Sequence, residues 1–144
     1  MATFDYFVGL LRCSTCGNVG RGTTTNMQTK MSKHPSLKEI GMGNSIDADW
    51  SAICEAGYLK IVEPPERDTI TILETWDCPK CDKPSNWARI IIMRGKIELV
   101  ESIVLSAEIV QGANYITEDC RYLLNLSTIP EIIVAALLEQ LQNT

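Results

Sequence analysis

The sequence predicts an α+β domain: a mainly antiparallel sheet carrying a pair of cysteine knuckles, with helices gathered toward the C-terminus. Three observations point there. Residues 69–76, TITILETW, alternate apolar and polar, and a hairpin pattern follows them. Two C-x-x-C pairs, at 13–16 and 78–81, each follow a strand-like run. Beyond residue 116 the apolar residues recur at helical spacing.

The chain has 144 residues, 45% hydrophobic and 22% charged, which fits one globular domain over 1–144. No linker divides it, and nothing repeats except the cysteine pair. No apolar run reaches the roughly 18–20 residues that span a bilayer. The start, MATFDYFVGLLRC, lacks a basic region before its apolar residues and carries Asp5 among them. A secretory signal is not expected, and the protein reads as cytoplasmic.

Taken in order, TFDYFVGLLR is aromatic and branched and predicts a strand leading into Cys13. The stretch from Gly17 to Ser36, rich in Gly, Thr, Asn and Lys, predicts mostly loop. Within it Met27, Thr29 and Met31 alternate with polar residues and allow a short strand. Two glycines leave LKEIGMGNSI ambiguous. DADWSAICEAGY places Trp50, Ile53 and Cys54 on one helical face, with acids at its start and Gly57 as a stop. YLKIV predicts a strand and EPPERD a turn. WARIIIM, Arg94-Gly95 and KIELVESIVL form a hairpin on a two-residue turn, and the apolar first arm places it centrally in a sheet. TEDCRYLLN offers Thr117 as a helix N-cap. In STIPEIIVAALLEQLQNT, Thr128 and Glu131 make a capping box around Pro130. The apolar stripe of this last helix is broad enough to pack within the domain or to meet a partner.

The cysteines carry the chemistry. Of six, Cys13, Cys16, Cys78 and Cys81 form two C-x-x-C pairs, the spacing that metal sites use in reducing compartments. A C-x-x-C turn returns its second sulfur beside the first. Gly17 accepts the left-handed conformation wanted after the second cysteine, Asp82 tolerates it, and Pro79 stiffens the second turn. Each pair is entered from a strand, VGLLR or ITILETW. In CSTCG at 13–17 and CPKCD at 78–82 the chain resembles the zinc-ribbon and rubredoxin-like knuckle class. The resemblance implies one structural Zn²⁺ per chain, held by all four thiolates, with iron as the alternative occupant. Four thiolates close the coordination sphere and leave no open position for a substrate. Residues 17–77 separate the pairs, where compact ribbons use about 15–20, so that stretch must return the second knuckle to the first.

Other readings are weaker. WDCPKC as a redox dithiol requires a strand entering a helix, and a further strand follows instead. Cys54 and Cys120 sit beside apolar residues at helical spacing and read as small buried hydrophobes. His34, in a lysine-rich loop, reads as exposed. The three tryptophans read as core or knuckle-packing residues.

The net charge is −5, unevenly placed. Residues 1–38 hold Arg12, Arg21, Lys30, Lys33 and Lys38 against Asp5, a balance of +4; the remainder has 8 basic and 17 acidic residues, or −9. That acidity suits a basic protein partner and disfavours general phosphate binding. No catalytic or phosphate-cradling motif is present. The expected function is a non-enzymatic, zinc-stabilised protein-interaction module, in the manner of an acidic inhibitor or immunity-type protein that masks a basic partner. The alternative is a nucleic-acid-binding zinc ribbon that uses Arg21, Lys30, Lys33 and Lys38.

Overall fold

The computed structural model describes residues 4–53, 55–60, 69–81, 86–117 and 135. The first expected strand is two. β1 (Asp5–Phe7) and β2 (Leu11–Arg12) belong to different sheets. Gly9 lies between them, and a Cβ built there would fall 2.8 Å from Cγ1 of Val100. The backbone presses against that side chain, and the ladder of β1 stops. β3 (Val19–Gly20) pairs antiparallel with β2, so the first C-x-x-C caps a short hairpin.

β4 (Gln28–Thr29) and β5 (Glu39–Ile40) flank β1, antiparallel and parallel respectively. The stretch expected to be mostly loop is therefore anchored. Met27, Thr29 and Met31 all point into the core, as their alternation suggests. The Asp5 carboxylate accepts hydrogen bonds from the N–H groups of Ser36 (2.8 Å) and Lys38 (2.9 Å), drawing that segment onto β1.

In DADWSAICEAGY the structure has a 3₁₀ turn, Trp50–Ala52, in place of a regular helix. Gly57 ends this region at φ +95°, as a glycine stop should. β6 (Tyr58–Lys60) follows. β7 (Thr69–Trp76), β8 (Asn86–Met93) and β9 (Lys96–Ile103) form an antiparallel meander. Arg94 and Gly95 turn β8 into β9 with φ of 52° and 79°, the pair of positive angles a two-residue type I′ turn requires.

α1 (Ala107–Gly112) is a helix that the sequence reading did not expect. Ser106 caps it, its hydroxyl accepting from the N–H of Ile109 at 3.2 Å. β10 (Tyr115–Thr117) then enters the large sheet, whose order is β6-β10-β7-β8-β9. β8 lies between two neighbours, as its apolar sequence predicts. Thr117, expected as a helix N-cap, ends β10 opposite Tyr58. The predicted helices toward the C-terminus are not borne out: α1 is the one α-helix among the described elements. The stretches 118–125 and 128–141, where those helices were expected, lie outside the described residues apart from Ala135.

Both faces of the large sheet are covered. Ile70, Ile72, Trp76, Ile90 and Ile92 pack with Phe7, Leu11, Met27 and Met31 on one side. Leu73, Trp87 and Ile116 pack with Leu105 and Val110 on the other. Asn114 fastens α1 to the sheet: its N–H donates to the Thr71 carbonyl (2.9 Å), and its Oδ1 accepts from the Thr71 N–H (2.8 Å).

The Gly9 crossing is open to test. Gly9→Ala should lower unfolding free energy by about 1–3 kcal/mol through overpacking. Val100→Ala removes the nearest atom, so urea titrations should show the double variant losing less than the sum of the singles. Strict additivity would mean that the crowding at Gly9 costs nothing.

Candidate metal centre

The two knuckles reach their meeting point by different routes. Cys13 and Cys16 sit at the tip of the β2–β3 hairpin. There the Cys13 N–H donates to the Asn18 carbonyl (2.9 Å), and the Gly17 N–H donates to the Cys13 carbonyl (3.0 Å). Gly17 takes φ +74°, the left-handed conformation expected of it. Arg12 ties the hairpin down: its backbone N–H donates to Ser102 Oγ (3.2 Å), and its guanidinium donates to the Gly17 carbonyl (3.2 Å). Cys78 arrives directly from β7, whose last residue, Trp76, is buried and donates its indole N–H to the Trp87 carbonyl (3.2 Å).

Two contacts close the long excursion between the knuckles. The Asp77 N–H donates to the Thr25 carbonyl at 2.9 Å, joining the end of β7 to the 3₁₀ turn Gly22–Thr25. Gly20 lies beneath Pro79, so that an added Cβ would come within 3.3 Å of Pro79 Cδ and 2.7 Å of Thr25 Cγ2. The proline between the second pair of cysteines thus packs on the hairpin that carries the first pair.

The outcome is a cluster of four sulfurs, all within 4.8 Å of one another. Cys13 Sγ stands 3.7 Å from Cys81 Sγ, and Cys16 Sγ stands 3.6 Å from Cys78 Sγ. Four sulfurs around one zinc, each at about 2.3 Å, lie about 3.8 Å apart along a tetrahedral edge. A disulfide would require about 2.05 Å. The spacing is therefore compatible with one ion shared by two knuckles. The first cysteine of each pair, Cys13 and Cys78, is buried, and the second, Cys16 and Cys81, is exposed.

The backbone favours thiolates here. At Cys13 the N–H of Cys16 has the largest effect, and the N–H of Thr15 adds to it; together they outweigh burial and hold the thiol at about 6 against an ordinary 9.0. Cys78 is lowered likewise, first by the N–H of Cys81 against burial, then by that of Lys80. Hydrogen bonds to a charged form stabilise it, and a metal ligand must be a thiolate.

His34 is exposed and stands apart from the cluster. Cys54, Cys120 and Asp82 lie outside the described residues. Trp76 and Trp87 are buried in the core as expected, while Trp50 is half-buried and stacks on Tyr115 at 5.8 Å. Gly20, Thr25 and Asp77 were not identified from the sequence. Only Gly20 carries a signal there, as a glycine just after a knuckle. Comparison with protein-family models, curated proteins and solved structures returned no match in any of the three.

Gly20→Ala should weaken metal binding and stability together, because the new methyl separates Pro79 from the hairpin; a competition titration with a chromophoric chelator reads this. The metal-free protein should also show an early thiolate. Cys13 ionises at about 6 when folded and near 9.0 otherwise, so its ionisation stabilises the folded state. That contribution is complete above about 9 and is lost as pH falls through about 6. Ultraviolet thiolate absorbance, compared between wild type and Cys13→Ser, tests the assignment.

Proposed function

We propose that Cys13, Cys16, Cys78 and Cys81 hold one Zn²⁺ as a structural centre. We propose further that the chain is a non-enzymatic protein-interaction module whose acidic surface binds a basic protein partner. The sulfur spacing is the observation that carries the metal assignment. Four thiolates fill a tetrahedral shell, which suits a closed site that joins distant segments and gives no vacant position for catalysis. The partner reading draws its support from charge: a net −5, with the acidic excess confined to residues 39–144. An inhibitor or immunity-type role, in which the acidic face masks a basic protein, is its specific form.

The nucleic-acid reading calls on the N-terminal cations as phosphate contacts. Lys33 instead pairs with Asp47 at 3.5 Å. That exposed pair adds little stability, but it offsets one of the charges a phosphate would need.

Metal analysis of the purified chain should return one zinc per chain, with little iron, and the Cys13→Ser, Cys78→Ser double variant should return none. Capture from the native cell should recover a basic protein in stoichiometric amount, released as salt rises. Recovery of nucleic acid alone would favour the other reading.

A further inference from the structure

The two knuckles oppose each other with their sulfurs paired crosswise. Cys16 Sγ lies 3.6 Å from Cys78 Sγ, and Cys13 Sγ lies 3.7 Å from Cys81 Sγ. In both contacts the first cysteine of one turn meets the second cysteine of the other, so the C-x-x-C turns run antiparallel. Each contact also joins an exposed sulfur to a buried one, Cys16 to Cys78 and Cys81 to Cys13. That asymmetry divides the chemistry. An oxidant in solution reaches the exposed member, and the buried member stands where it meets the product.

Contacts outside the cluster maintain this opposition. Pro79, which follows Cys78, packs on Gly20 of the first hairpin. Asp77, which precedes Cys78, donates its N–H to the Thr25 carbonyl at 2.9 Å. At the other knuckle the Arg12 N–H donates to Ser102 Oγ (3.2 Å), and the Cys13 N–H donates to the Asn18 carbonyl (2.9 Å). Both buried cysteines are thus anchored through the backbone beside them. A sulfur that loses its metal stays opposite the other knuckle. Closing from 3.6 Å to the roughly 2.05 Å of a disulfide moves each sulfur by about 0.8 Å, the scale of a side-chain rotation.

We infer that the cluster is a site of reversible oxidation by hydroperoxides, in which two cross-knuckle disulfides, Cys16–Cys78 and Cys13–Cys81, replace the metal in closing the joint. The Cys16 thiolate attacks one peroxide oxygen; the O–O bond breaks, hydroxide leaves, and the sulfur becomes a sulfenic acid. The Cys78 thiolate then attacks that sulfur, and a second hydroxide leaves with the S–O bond as the S–S bond forms. Two thiolates give up two electrons, and one peroxide is reduced. Cys81 and Cys13 repeat the sequence with a second peroxide. With all four thiolates consumed the zinc leaves as the hydrated ion, and a dithiol reductant restores the thiols by exchange. The release of zinc rests on the metal reading above; the pairing rests on the sulfur geometry alone.

Trypsin makes the pairing readable, because it cuts between Lys80 and Cys81 and so separates the second pair. Hydrogen peroxide is added to the zinc-loaded chain, remaining thiols are blocked with N-ethylmaleimide, and the digest is mapped by mass spectrometry. Crosswise oxidation should join residues 13–21 to both 68–80 and 81–89 in a single three-peptide species. A chromophoric chelator should register zinc release in step with that species. Oxidation within the knuckles would leave 13–21 as a lone cyclised peptide and join 68–80 to 81–89, which overturns the inference. Linkage of any of the four to Cys54 or Cys120, or sulfinic acids in place of disulfides, overturns it too. Cys16→Ser should lose the link to 68–80, leaving Cys78 blocked, and keep the link to 81–89. Loss of the link to 81–89 with retention of the one to 68–80 would mean diagonal pairing and sink the assignment. The wild-type map is decisive without this variant. Should the purified chain hold no zinc, the same map on the reduced chain still decides the pairing, and the release of metal alone falls with the metal reading.

Discussion

The architecture turns on holding two turns, separated by residues 17–77, at the spacing of a single ion. Four thiolates near one another repel unless a cation joins them, so something other than the sulfurs must bring them together. Gly20 beneath Pro79 and the Asp77–Thr25 hydrogen bond do this. One is steric and needs a missing side chain. The other is a backbone bond that leaves the end of β7 no freedom to drift. Each knuckle also supplies N–H groups to its own buried sulfur, so the site is electrostatically prepared before any metal arrives.

The intervening residues are built into the protein and do not merely span the gap. They supply β4 and β5 to the small sheet and β6 to the edge of the large one. They also supply Met27, Met31 and Ile53 to the core that covers one face of that sheet. A metal at the cysteines would therefore close a loop whose contents are already packed. Its removal should be felt first at the hairpin tip and the end of β7, where Cys13 and Cys78 join that same core cluster.

On the same face of the large sheet Tyr58, Thr117 and Glu74 form a buried polar row across β6, β10 and β7. A carboxylate within a sheet face is costly unless satisfied, and the Tyr58 hydroxyl, at the end of a chain of bonds from Met31 through Thr29, is one of the groups that satisfy Glu74. Elsewhere on this face Ile70, Ile72 and Trp76 occupy the equivalent positions of β7.

Much of the large sheet and all four candidate ligands were legible in the sequence. The alternation of TITILETW, the Arg94-Gly95 turn and the doubled C-x-x-C are local signals, encoded in neighbouring residues and in the φ angles that they permit. α1 also had local marks, Ser106 as cap, Glu108 in the first turn and Gly112 at its end. They were overlooked because the strand pattern of KIELVESIVL runs straight into them. The division of TFDYFVGLLR into two strands had no such mark, since it depends on Val100 arriving beside Gly9. The meeting of Pro79 with Gly20, and of Glu74 with Tyr58 and Thr117, is likewise a matter of residues far apart in the chain. Periodicity and turn chemistry specify each element alone. Which elements touch is decided only when the packed layers choose a register, because that choice depends on the shapes of all of them at once.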